Sequence, residues 1–137
     1  MKSKLKKQKY ATYGKLVKEL AKFNKTDPAC IIASTDIGCP DEGENFVDGS
    51  AVKRVGIGNG VVIIVCDDSG TMTWEQVRTT LRDRITLDMA DQPAIVQIGY
   101  DDVKDANGRP CHPRWVKECG VIKGDDTIWN VELGSEV

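Results

Sequence analysis

The sequence predicts an α+β fold made of two tandem α-β-β-β repeats packed as one compact, pseudo-symmetric domain. Three observations lead there. The run Val61-Val62-Ile63-Ile64-Val65 follows an Asn59-Gly60 turn and ends in a polar break, Cys66-Asp67-Asp68-Ser69-Gly70-Thr71, that opens a helix. The order helix, breaker ending in proline, strand, long polar loop, hairpin then occurs on both sides of that break. Finally, 137 residues with 40% apolar content suit one ordinary domain, and each half is too small to bury much on its own.

Residues 1–11 read as a basic, flexible arm, and residues 12–67 as the first repeat. Thr12 is placed to cap a helix running to about Phe23, with Leu16, Val17, Leu20 and Phe23 on one face. Asn24 to Pro28 is a breaker cluster, and Ala29 to Ala33 reads as a strand. Residues 34–50 read as an acidic, glycine-bearing loop. Ala51 to Ile57 is a second strand, Gly58-Asn59-Gly60 a hairpin turn, and Val61 to Val65 a third strand.

Residues 68–137 read as the second repeat. Thr73 and Gln76 have capping-box spacing, Met72 and Val77 suit a hydrophobic staple, and Val77, Leu81 and Ile85 recur every four residues. A breaker ending at Pro93 leads to the strand Ala94 to Ile98, and residues 99–113 read as a second acidic loop. Arg114 to Ile122 and Thr127 to Leu133 are strands joined at Lys123 to Asp126. In the last strand Thr127, Trp129, Val131 and Leu133 alternate with Ile128, Asn130 and Glu132. Thr12, Leu16 and Leu20 align with Thr73, Val77 and Leu81. Pro28, Ala29, Ile31 and Asp36 align with Pro93, Ala94, Val96 and Asp101. Ile57 aligns with Ile122, and Ile63 and Val65 with Trp129 and Val131.

The phrase Thr12-Tyr13-Gly14-Lys15-Leu16-Val17-Lys18-Glu19-Leu20, followed by Asp27-Pro28-Ala29-Cys30-Ile31, resembles a pattern in short, uncharacterised phage and bacterial proteins. Those have a Thr-capped helix, a D-P-x-A-x-[IV] strand entry and a hairpin ending in an apolar strand. Thr73 to Val77 with Asp91 to Val96 resembles the pattern again. The resemblance implies a phage-type accessory protein, and assigns neither an activity nor site residues.

Charge is small in sum and uneven in place. The net charge is −2, yet residues 1–25 hold nine lysines and one glutamate. A solvated tail explains this, and the acidic remainder repels phosphate, so nucleic acid is an expected partner only through the Lys-rich N-terminus. No apolar stretch approaches the ~20 residues of a membrane-spanning helix, and the start lacks a secretory signal's apolar run. A cytoplasmic protein with no membrane partner is expected. The five cysteines, odd in number and irregularly spaced, fit reduced thiols better than a disulfide framework.

Several stretches imitate catalytic or binding motifs. Val62 to Thr71 is similar to an aspartic-protease strand followed by Asp68-Ser69-Gly70-Thr71, but that chemistry needs a second carboxylate. The matching place in the second half reads Val131-Glu132-Leu133-Gly134-Ser135. Gly56 to Gly60 lacks phosphate-loop spacing. Cys111, His112, Cys119 and Cys39 lack zinc-ligand spacing, and Asp101 to Gly108 lacks the calcium-loop register. No metal and no cofactor are therefore assigned. What survives is the pairing of two long polar loops at equivalent points of the repeats. Loops on a rigid scaffold concentrate binding, and Tyr100, Arg109, Arg114, Trp115 and Asp36 are the groups there suited to stacking, anion contact and hydrogen bonding.

The expected role is a non-enzymatic binding protein. In its concrete form it is a phage-type accessory factor that sequesters a small nucleotide-like signal, or binds a host protein, to counter a defence system. A hydrolase using Asp68 or Asp101, and a structural or assembly subunit whose lysine arm contacts nucleic acid, are the alternatives. Enzymatic activity and oligomeric state are left open.

Overall fold

The structure, a computed structural model, describes residues 10–35, 45–100, 113–122 and 125–136. Helix α1 spans Tyr13–Leu20, followed by strands β1 (Cys30–Thr35), β2 (Asn45–Gly58) and β3 (Val61–Cys66). Helix α2 (Trp74–Arg84) and a single turn, α3 (Leu87–Ala90), precede β4 (Ile95–Tyr100), β5 (Arg114–Ile122) and β6 (Asp125–Glu136). Helices and strands thus combine as an α+β fold, and the six strands close in sequence order into one barrel. Closure is what the sequence did not announce; it removes the exposed sheet edges of an open layer.

Both helices begin as their sequences require. The Thr12 hydroxyl accepts from Lys15 N, and Thr73 and Gln76 form a full capping box. The first helix is shorter than its apolar spacing suggests. After Leu20 the hydrogen bonds tighten to Ala21 N to Lys18 O, Lys22 N to Glu19 O and Phe23 N to Leu20 O. That tail still carries Phe23 inward, where its ring stacks on Trp74 at 4.0 Å. The stretch from Asn45 to Ser50, expected as loop, is the first part of β2 and pairs with β1. Pairing overrides the poor strand propensity of its Asp, Gly and Ser.

Four ladders are antiparallel, and two are parallel: β1 beside β6 and β3 beside β4. The interior is filled by Ile31, Ala33, Val52, Val62, Ile64, Cys66, Val96, Ile98, Val116, Trp129, Val131 and Leu133, with Leu16, Leu20, Trp74, Val77 and Leu81 from the helices. Burial along β3 alternates from Val62, so Ile63 and Val65 face outward while Trp129 and Val131 face inward. Matching Ile63 with Trp129 is therefore one residue out of phase. The β5–β6 hairpin carries a register shift between Val121 and Ile122, next to its turn, where the β2–β3 hairpin has none.

Helix α1 packs on β5, and α2 packs on β2. The backbone bonds that fix them also come in crosswise pairs. Tyr13 N donates to Gln92 O and Trp74 N to Asp27 O, both at 3.1 Å. Ala94 N donates to Ala11 O and Ala29 N to Met72 O, both at 2.8 Å. Val116 N donates to Ala94 O and Val52 N to Ala29 O, at 3.0 and 3.1 Å.

Candidate functional site

Strands β1 and β4 run in the same direction around the barrel, because β1 to β2 and β2 to β3 are antiparallel and β3 to β4 is parallel. Both therefore end at the same rim, β1 at Thr35 and β4 at Tyr100. Asp36 and Arg109 lie outside the described residues. Tyr100 closes β4 opposite Cys66.

Arg114 opens β5 and is 2% exposed. Its Nη1 donates to Gly134 O at 3.1 Å. Gly134 directly follows Leu133, which lies beside Thr35 in the parallel β1–β6 ladder. The buried guanidinium thus sits on β6 next to the end of β1, and so next to the position from which Asp36 continues. Burying a cation requires oriented oxygens, and a carbonyl at 3.1 Å supplies one. Trp115 points the other way, since successive strand residues face opposite sides. It is half-buried and its ring lies 5.6 Å from that of Tyr10, nearly parallel. Arg114 and Trp115 consequently do not share one surface. Tyr10 and Ala11 are themselves held, Ala11 N donating to Val116 O at 2.7 Å.

The motif imitations resolve into turns. Asp68 is exposed, and it is Asp67, 8% exposed, that accepts from Ser69 Oγ at 2.5 Å and lies 3.6 Å from Lys53 Nζ. Gly70 is required by close approach, because a Cβ there would stand 2.6 Å from Val52 O. Asn59 and Gly60 take φ of 54° and 76°, a primed hairpin turn rather than a phosphate loop. Cys39, Cys111, His112 and Asp101 to Gly108 lie outside the described residues. Among the described residues no three metal-ligating side chains cluster, and Cys66 and Cys119 are free thiols. Burial pushes the Cys66 and Cys119 thiols up to about 12, with Cys30 and Glu19 nearby adding to the rise in each case. Neither is a nucleophile at neutral pH.

Features the sequence reading missed lie where helices meet strands. A groove of about 530 Å³ separates α1 from β5, lined by Thr12, Lys15, Lys117, Glu118 and Cys119. A second, of about 630 Å³, separates α2 from β2, lined by Lys53, Arg54, Val55, Gln76, Thr79 and Thr80. Glu19 is 5% exposed, with Lys22 Nζ at 3.1 Å and Lys15 Nζ at 3.7 Å from its carboxylate. Periodicity marked Glu19 as solvated because Lys15, Lys18 and Lys22 share its side of the helix; only the seating of α1 on β5 buries it. No helix among the described residues is long and apolar enough to cross a membrane. Comparison with protein-family models, curated proteins and solved structures gave no match.

Proposed function

We propose that this chain is a non-enzymatic, cytoplasmic binding protein built from two α-β-β-β repeats, with its ligand site beside Arg114, where β1 ends. The observation that carries the reading is the buried Arg114 beside Gly134, next to the end of β1. A planar guanidinium held at a rim is suited to a small anionic ligand, because its fork of N–H donors matches phosphate and carboxylate oxygens. A sequestering, phage-type accessory factor for a nucleotide-like signal is the concrete form. The crosswise hydrogen-bond pairs and the twin grooves support the duplication, since each member of a pair uses residues at equivalent places in the two halves.

Native mass spectrometry of the protein purified from cells tests the function. The expected result is a small anionic adduct, released chemically intact, that raises the melting temperature when added back. Recovery of a chemically altered molecule would instead favour the hydrolase.

A further inference from the structure

Helix α1 sorts its charges by side. At helical spacing Lys15, Lys18 and Lys22 fall within about 60° of arc, roughly 5–6 Å apart, and Lys25 continues the row past the helix end. All four are exposed. The opposite side carries Tyr13, Leu16 and Leu20 into the core. The one carboxylate of the helix, Glu19, is turned under toward β5, where a Cβ on Gly120 would stand 3.7 Å from its Oε1. Lys22 Nζ at 3.1 Å and Lys15 Nζ at 3.7 Å share that carboxylate, so one negative charge answers two positive ones. Among the described residues no carboxylate reaches ion-pair distance of Lys18 or Lys25. The outer face of α1 is therefore left with a surplus of positive charge that nothing on the molecule neutralises.

The surroundings do not cancel the row. The adjoining groove adds Lys117 and Glu118, of opposite charge. Charges more than about 8 Å away are screened at physiological salt, so the net charge of −2 spread over the whole chain leaves the local excess standing. Beside Lys25, Asn24 Oδ1 is taken by Thr26 N at 3.1 Å and Thr26 Oγ1 at 3.0 Å, which leaves the Asn24 amide nitrogen as a neutral donor. Five further lysines precede Tyr10 in the chain. Ammonium groups on flexible stems act as point charges, and no aromatic ring stands in the row, so it is built neither to read base edges nor to stack on bases. It suits the partner with the densest regular negative charge, a nucleic-acid duplex carrying one phosphate charge per about 1.7 Å of its axis. Anionic lipid suits it less. Leu87, 92% exposed and the one large apolar side chain so placed among the described residues, is followed by Asp88, which an anionic bilayer repels.

We propose that the exposed face of α1, carrying Lys15, Lys18, Lys22 and Lys25, docks on the phosphate backbone of duplex DNA without reading its sequence. The surface is independent of the Arg114 site, since it uses no residue of β1, β5 or β6.

The test is fluorescence anisotropy of the full chain with a labelled DNA duplex of about 20 base pairs, from about 50 to about 200 mM salt. The parent binds saturably, with equal affinity for two unrelated sequences and a steep fall as salt rises. Lys18→Ala combined with Lys25→Ala weakens binding at least tenfold at the lowest salt. It also makes the slope of log affinity against log salt shallower by about 2, one phosphate contact for each lysine. Lys18→Arg combined with Lys25→Arg keeps the parent affinity and slope. Should the alanine pair not fold, Lys18→Gln with Lys25→Gln replaces it. An unchanged slope in the neutralised variant overturns the proposal and leaves the phosphates to residues 1–9. No saturable binding at the lowest salt overturns it as well. So does polyglutamate binding as tightly as the duplex, which would give the face to an acidic protein, or tighter binding to phosphatidylserine vesicles, which would give it to a membrane.

Discussion

Tyr13 holds more of the molecule together than its place in a helix suggests. Its hydroxyl donates to Gly60 O at 2.7 Å and accepts from Ile95 N at 3.1 Å, tying the start of α1 to the β2–β3 turn and to β4. Tyr13→Phe keeps the ring and strands two backbone groups, so a loss of about 2 kcal/mol is expected, read as a lower urea midpoint with an unchanged slope. The thiols set the alkaline limit. In the unfolded chain Cys66 and Cys119 ionise near 9.0, and in the folded chain burial holds them neutral to about 12. Above pH 9 the unfolded state therefore binds fewer protons than the folded one. Their contribution to stability is complete below pH 9 and is lost as pH rises towards 12. Melting temperatures measured from pH 7 to pH 11 should fall past pH 9, and Cys66→Ala should flatten part of that fall. A flat profile in the parent protein refutes the assignment.

At the scale of elements, β3 shows how a sequence can name a strand without giving its phase. Val61 to Val65 are all apolar, so no alternation says which side faces the core. The barrel decides, seating Val62, Ile64 and Cys66 inside. Ile64 is 1% exposed. Ile64→Asp puts a charge into the core, costs more than the ~2–5 kcal/mol of an Ile→Ala cavity, and should abolish cooperative unfolding. Ile63→Asp should cost only ~1–2 kcal/mol. Circular dichroism with urea titration of the two variants separates them, and the reverse order would invert the register. In β6 the alternation of Trp129, Val131 and Leu133 was legible, because Asn130 and Glu132 mark the wetter face. The helix starts were legible too, because Thr12 and Thr73 act on bonds three residues away.

At the scale of the molecule, the halves are interleaved. Both parallel ladders, β1 with β6 and β3 with β4, join residues 12–67 to residues 68–137, and each helix packs on a strand of the other half. Residues 68–137 hold every tryptophan, and produced without residues 1–67 they should lack the near-ultraviolet signature of packed Trp74 and Trp129, which meet edge to face with centroids 6.3 Å apart. Mixing the two halves in equal amounts should restore it. A half that folds as a lone monomer would contradict the crosswise packing. A half that folds as a homodimer would favour the duplication, since two copies of one repeat would rebuild the barrel.

The candidate site divides along the same line. Chemistry and loop position mark Tyr100, Arg109, Arg114, Trp115 and Asp36 in the sequence. Asp36 and Arg109 fall outside the described residues. Arg114 and Trp115 part because a strand sends neighbours to opposite faces, one into the barrel and one against Tyr10. The grooves left no mark in the sequence, since they depend on how α1 seats against β5 and α2 against β2.

By itself the sequence determined the element order, the caps, the Asn59-Gly60 turn and the α+β class, all of which rest on interactions among residues close in the chain. Tertiary structure alone decided that the sheet closes, which face of Val61 to Cys66 is buried and that Glu19 is covered. Those outcomes depend on contacts between residues tens of positions apart, which local periodicity does not encode.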